Sequence, residues 1–146
     1  MSALLDYKIK EFEALCAMIS YDDLVIWADD KIRFSDDPDE ILFELSLAKT
    51  LHEQLSILSS LGEQDENEAF KQVAYQIFIS YKQDEIQFFD VVNKLHAMNI
   101  NSTALDSSYR DFCIWISDEA WLISDGVKDL KPAEEELIRF FFGVKT

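Results

Sequence analysis

The side chains that could do chemistry in this chain are two histidines, two cysteines and a large excess of carboxylates. His52 and His96 are the residue type most used for acid–base catalysis, but each stands alone in its segment, outside any HExxH or HxE pattern. The three glycines are too far apart for a phosphate-binding GxGxxG or GxxxxGK loop. We therefore expect no catalytic residue and no cofactor, and we predict that the chain is not an enzyme.

The remaining candidates for chemistry are thiols and paired acids. Cys16 and Cys113 lie inside apolar helical patterns without a CxxC spacing, which favours buried free thiols over a redox pair or a metal site. Asp29-Asp30 and residues 36–40 offer oxygen ligands, but they lack the glycine and the final glutamate of an EF-hand loop, so no metal is expected. Paired carboxylates also suit a small hydrolase, the least favoured alternative, which predicts an enclosed pocket where acids converge.

Acidity is the extreme property of the chain, with 29 acidic and 13 basic residues and a net charge of −16. It is uneven, because residues 1–73 hold 17 acids and 6 bases whereas residues 74–146 hold 12 and 7. Solubility needs a net charge of only about 2–8 in magnitude. Such a surface repels nucleic acid and anionic lipid and speeds association with a basic partner. Helix capping and a solvated face are the simpler reading of the same residues.

Helices are the elements expected to position these residues. With 49% apolar residues, three glycines and two prolines, the chain lacks the turn residues that an all-β fold consumes. We predict a single all-α domain over residues 1–146, a bundle of seven or eight helices. Apolar spacing gives a first helix ending near Ser20, and Ser20 with Asp23 resembles a capping box that starts the second. A third helix is expected to open at Pro38 and a fourth near Thr50, ending at Gly62.

The second half shows the same periodicity. Residues 70–81 form the cleanest apolar stripe, and a further helix places Ile86, Phe89, Val92 and Leu95 on one side. A long helix is predicted from about Thr103 to Ser124, and we expect it to be central because it is apolar on nearly all sides. Asp125-Gly126 ends it, and a last helix starts at Lys131-Pro132.

The N-terminal twenty residues have no basic region and no long apolar run, so they do not resemble a signal peptide. No stretch approaches about 18 consecutive apolar residues, which a membrane span requires. We expect a cytoplasmic protein that does not enter a membrane.

The segments SYDDLVIWADD (20–30) and DPDEILFELSLAK (37–49), in an acidic helical chain of this size, resemble the small immunity proteins of bacterial toxin systems, including those of contact-dependent growth inhibition. The resemblance covers the whole chain in size and character and rests on no shared motif. It implies an inhibitor that binds a cognate toxin domain, a basic nuclease in the reading we favour. It assigns no functional residue.

The charge distribution predicts the partner-binding residues. Trp27 lies next to Asp29 and Asp30, and it is either an aromatic anchor inside a charged rim or part of the core. The predicted partner-binding residues are Asp22, Asp23, Trp27, Asp29, Asp30, Asp36, Asp37, Asp39, Glu40, Glu63, Asp65, Glu66 and Glu68.

The alternative function is an acidic regulatory or adaptor protein that binds a basic partner such as a DNA-binding regulator. Genomic context would separate an immunity protein from such an adaptor.

Overall fold

The computed structural model of the chain describes residues 3–145, and within them it has eight helices and no strand. This confirms the predicted all-α fold. The predicted domain of residues 1–146 includes residues 1, 2 and 146, which lie outside the described part. The helices are α1 (Ala3–Leu15), α2 (Tyr21–Arg33), α3 (Glu40–Leu47), α4 (Leu51–Ser59), α5 (Glu66–Lys82), α6 (Phe88–Ile100), α7 (Ser107–Ser124) and α8 (Leu130–Lys145).

Local capping signals place several helix ends where the sequence predicts them. The Ser20 hydroxyl accepts a hydrogen bond from the Asp23 backbone N–H at 3.2 Å, and the Asp23 carboxylate accepts one from the Ser20 N–H at 2.9 Å. This capping box starts α2. Thr50 caps α4 through the Glu53 N–H at 3.1 Å. Gly62 and Gly126 follow the ends of α4 and α7 with positive φ angles, which glycine adopts without strain.

Three helix ends differ from the prediction. The first helix ends at Leu15 instead of near Ser20, because Ala17 takes a left-handed conformation (φ 58°) and breaks the ladder. Helix α3 begins at Glu40, after Pro38, with Asp39 as its N-cap residue. Helix α7 begins at Ser107 rather than Thr103, because the Asp106 carboxylate accepts a hydrogen bond from the Ser108 N–H at 2.9 Å and so caps it there.

The helices enclose two hydrophobic clusters. The larger cluster joins α1 to α5, α6, α7 and α8, and its fully buried members include Phe12, Phe70 and Ile77. The smaller cluster joins α1 to α2, α3 and α4 around Leu24 and Leu45. Helix α1 contributes side chains to both. The two clusters are therefore connected through the first helix.

Helix α5 is the central helix, so the prediction that α7 is central is wrong. Helix α5 packs against α1, α6 and α8, and its residues from Ala69 to Ile77 include five with no solvent exposure. Helix α7 buries only Cys113, Ile116 and Ala120, and leaves Trp121 71% exposed. Helix α7 packs mainly against α6 and α8, and this packing leaves Ile114, Trp115 and Trp121 exposed.

The buried face of α6 matches the predicted one at Val92 and Leu95 but not at Phe89, and Ile86 precedes the helix. Phe88, Val91, Val92, Leu95 and Met98 are buried, whereas Phe89 is 42% exposed. The pair Phe88-Phe89 at the helix start gives the sequence no means of choosing between the two rings, and contact with the rest of the fold selects Phe88.

Candidate functional site

The acidic residues of the second and third helices lie on the surface of the protein. We define the acidic face as the nine carboxylates between residues 22 and 44, all of which are exposed. They lie on α2, on the connection of residues 34–39 and on α3, and α2 and α3 pack against each other. The basic residues in the same stretch are Lys31 and Arg33. The nine are Asp22, Asp23, Asp29, Asp30, Asp36, Asp37, Asp39, Glu40 and Glu44.

Several carboxylates of the acidic face have partners within the fold. Besides the capping role of Asp23, Asp29 accepts a hydrogen bond from the Ser46 hydroxyl and so joins α2 to α3. Asp30 lies 3.7 Å from the Arg33 guanidinium, a loose ion pair. Among the described residues, Asp22, Asp36, Asp37, Glu40 and Glu44 have no side-chain partner. The part of the face free to bind is therefore concentrated at these residues.

A cleft of about 170 Å³ opens beside the acidic face, between α1, α2 and residues 35–39. Its carboxylates are Asp6, Asp37 and Asp39, and its walls include the rings of Tyr7 and Trp27. The two rings meet edge to face, with centroids 5.8 Å apart. The cleft therefore combines aromatic walls with carboxylates, and Lys31 of the same chain also lines it, with its ammonium over the Trp27 ring.

Trp27 combines features of both roles that the sequence leaves open, an aromatic anchor at the surface and a core residue. Its ring is half-buried against the smaller cluster and also lines the cleft. The ammonium groups of Lys10 and Lys31 lie 5.7 and 5.9 Å from the ring centroid. Both are within the range of a cation–π contact. Trp27 is thus partly core and partly available at the surface.

Glu66 requires a correction, because it is not part of an exposed surface. Its side chain is only 4% exposed, and its carboxylate accepts hydrogen bonds from the backbone N–H groups of Thr103 and Ala104 at 3.1 and 2.7 Å. The carboxylate thereby satisfies two backbone N–H groups of the α6–α7 connection. Nothing near Glu66 in the sequence signals this, because the partners are nearly forty residues away.

The other acids predicted near Glu66, which are Glu63, Asp65 and Glu68, are exposed. Glu63 accepts a 2.6 Å hydrogen bond from the Thr103 hydroxyl, and Glu68 lies 3.7 Å from the Lys71 ammonium. Asp65 precedes α5 with a φ of 64°. The structure thus ties Glu63 to the α6–α7 connection. Residues 22–44 lie in a different part of the fold, made of α2, residues 34–39 and α3, which we call the α2–α3 unit.

The other candidates for chemistry are dispersed. Cys16 and Cys113 are buried free thiols, as predicted, and burial raises the pKa of each to about 12. His52 and His96 are exposed on α4 and α6. Within residues 3–145, no group of three or more His, Cys, Asp or Glu side chains is arranged to hold a metal ion. The same residues contain no helix with the length and apolarity to cross a membrane.

Large apolar side chains are also exposed on the surface of the α2–α3 unit and elsewhere, and the predicted partner-binding residues do not include them. Four of them, Ile26, Phe34, Phe43 and Leu47, lie in the same α2–α3 unit as the acidic face. Others border a groove of about 340 Å³ between α6 and α7, lined by Phe89 and Trp121. For Ile26 the signal is present in the sequence, because Ile26 follows Asp22 and precedes Asp30 by four residues each, a spacing that puts all three on one face.

Protein-family models, curated proteins and solved structures provide no match to this chain.

Proposed function

We propose that this protein is an immunity protein, a stoichiometric inhibitor that binds a cognate toxin domain through the acidic face. The toxin domain is basic and is a nuclease, and the inhibitor acts in the cytoplasm, where such a toxin would reach its substrate. The observation that supports the proposal is the exposure of all nine acids of residues 22–44, with Lys31 and Arg33 as the basic residues among them.

Electrostatics give the mechanism. A nuclease holds the phosphate backbone of its substrate with Lys and Arg, and a dense set of carboxylates competes for those same side chains. Long-range attraction raises the association rate by about 10- to 1,000-fold, so the toxin is captured before it cleaves. The inhibitor performs no reaction. It needs only to occupy the basic surface more tightly than nucleic acid does.

Co-expression with the polypeptide encoded directly upstream is the test of this function. We expect the two to co-purify at low salt, and we expect the inhibitor to rescue cells from that polypeptide and to suppress its cleavage of nucleic acid at a one-to-one ratio. A polypeptide that neither co-purifies nor is neutralised would contradict the proposal. Binding without any toxicity to neutralise would favour the adaptor alternative.

A charge-reversal variant locates the contact. Replacing Asp22, Asp36, Asp37 and Glu44 by Lys removes carboxylates that have no side-chain partner in residues 3–145. We expect association with the toxin domain to slow by about 10-fold or more at low salt, with a weaker salt dependence. The matched control reverses Glu85, Asp118, Asp129 and Glu135, four exposed acids outside the acidic face. Equal slowing in both variants would mean that net charge acts without a defined surface.

A further inference from the structure

The α2–α3 unit exposes large apolar side chains among its acids. Ile26 is 58% exposed, Phe34 81%, Phe43 44% and Leu47 79%. The smaller hydrophobic cluster is built without them, from the opposite faces of the same helices, where Leu24 and Leu45 have no exposure. These four residues, which we call the apolar anchors, are therefore not needed for the core.

Each helix places its anchors beside carboxylates. On α2, Ile26 is one helical turn from Asp22 and from Asp30, and on α3, Leu47 is one turn from Glu44. The hydrogen bond from Ser46 to Asp29 holds α2 and α3 together at these stripes, because Asp29 is one turn from Ile26 and Ser46 is one turn from Phe43. Apolar and acidic side chains thus alternate over one surface.

We infer that the apolar anchors and the acidic face together form a docking surface for a protein whose own surface is an apolar patch bordered by Lys and Arg. This deepens the proposed function and rests on it, since that protein is the toxin domain. In protein interfaces, a desolvated apolar centre supplies most of the affinity, while charged groups at the rim set the association rate. The anchors hold the complex together after the acids have attracted the partner.

Charge selects this occupant over others. A second copy of the chain would place nine acids against nine acids with two basic residues on each side, which repels. Nucleic acid and anionic lipid are repelled for the same reason. A basic protein surface matches the acids, and an apolar patch on it would cover the anchors.

The experiment uses the full chain and the toxin domain encoded directly upstream, with association and dissociation measured at several salt concentrations. The test variant is I26S/L47S, and the matched control is I100S/I114S, which removes two exposed isoleucines of α6 and α7. We expect the dissociation rate of I26S/L47S to rise about tenfold or more with little change in association. The control should change by less than about twofold. The F34S variant provides a second measurement should the double variant fold poorly.

The outcomes separate the two proposals. If the unmodified chain forms no complex, the proposed function fails, and this inference fails with it. If the complex forms but neither I26S/L47S nor F34S dissociates faster than the control, the inference alone is overturned. Dimerisation of the isolated chain that I26S/L47S abolishes would assign the anchors to a second copy and would also overturn it.

Discussion

The hydroxyl of Tyr7 in α1 donates a hydrogen bond of 2.9 Å to the carboxylate of Asp39, the residue that precedes α3. Asp39 makes no side-chain hydrogen bond to the first turn of its own helix. A residue type that is favoured as an N-cap is thus used to attach α3 to α1. The position of α3, and of the acids on it, depends on a contact between residues 32 positions apart in the chain.

Removing this hydroxyl should weaken the fold. We expect Tyr7→Phe to lower the free energy of unfolding by about 0.5–1.5 kcal/mol, the usual net value of one hydrogen bond, as measured by urea denaturation. Tyr109→Phe is the control, because Tyr109 stacks on Phe70 at 4.9 Å and its hydroxyl has no partner among residues 3–145. Equal losses in the two variants would show that the bond to Asp39 contributes nothing.

The same hydroxyl makes stability fall at alkaline pH. Burial, and then the hydrogen bond to Asp39, raise the pKa of Tyr7 above its ordinary value of about 10. Because the folded-state pKa exceeds the unfolded one, the stabilisation from this group is complete below about pH 10 and is lost as pH rises through the folded-state pKa. Stability measured from pH 8 to pH 11 should therefore decline less steeply in Tyr7→Phe than in the unmodified chain.

Glu66 should matter for stability and not for binding. Its buried carboxylate accepts hydrogen bonds from two backbone N–H groups, and hydrogen bonds to a charged group are worth about 1.5–3 kcal/mol. We expect Glu66→Gln to lower the free energy of unfolding by about 1–3 kcal/mol. The exposed Glu68→Gln should change it by less than about 0.5 kcal/mol. If Glu66→Gln instead slows association with the proposed toxin domain and leaves stability unchanged, Glu66 acts in partner binding.

Lys8 and Glu11 form a buried ion pair at 2.8 Å, with side chains 6% and 5% exposed. Breaking such a pair leaves an unpaired buried charge, whereas replacing both partners by apolar residues removes the cost of desolvating them. We expect Lys8→Met to cost about 3–5 kcal/mol, and Lys8→Met with Glu11→Leu to be neutral or stabilising by about 1–4 kcal/mol. Urea denaturation of the two single variants and the double variant measures the coupling.

The Lys8→Met variant also carries a pH dependence. Burial raises the pKa of Glu11, and Lys8 opposes that rise. Without Lys8, the buried carboxylate is destabilising when charged, so the variant should regain stability as pH falls through the raised folded-state pKa of Glu11. If lowering the pH destabilises Lys8→Met as much as it destabilises the unmodified chain, this account is wrong.

Two aromatic substitutions test which helix is central. Phe70 on α5 is fully buried, so Phe70→Ala should lower the free energy of unfolding by about 3–5 kcal/mol. Trp121 on α7 is the larger side chain but is 71% exposed, so Trp121→Ala should cost less than about 0.5 kcal/mol. Thermal and urea unfolding of both variants provide the comparison. If Trp121→Ala lowers the free energy of unfolding more than Phe70→Ala does, α7 is the central helix.

Features set by neighbouring residues could be predicted from the sequence. The capping box at Ser20 and Asp23, the cap at Thr50 and the glycines after α4 and α7 all act within one turn of the chain. The helical class and the exposure of the acids between residues 22 and 44 follow from composition and spacing in the same way.

Features set by distant residues could not be predicted. In the sequence, Glu66 looks like any acidic residue in the first turn of a helix. Only the fold brings Thr103 and Ala104 beside it. The helix that is apolar on most sides reads as central, but centrality belongs to α5, whose alanines at positions 69 and 74 are fully buried where its neighbours pack. The cleft at Tyr7 and Trp27 likewise exists only because α1 and α2 meet.

Helix α1 belongs to both hydrophobic clusters, and this couples the surface that carries the acids to the larger cluster on the other side of that helix. Neither cluster can open without exposing one side of that helix, so backbone amides of α2 and α3 should exchange with solvent in concert with those of α5. Substitutions of buried residues between α5 and α8 would then make the acidic face less preorganised for binding. Such variants would bind a partner more weakly because the fold that holds the acidic face is loosened, although no contact with the partner is lost.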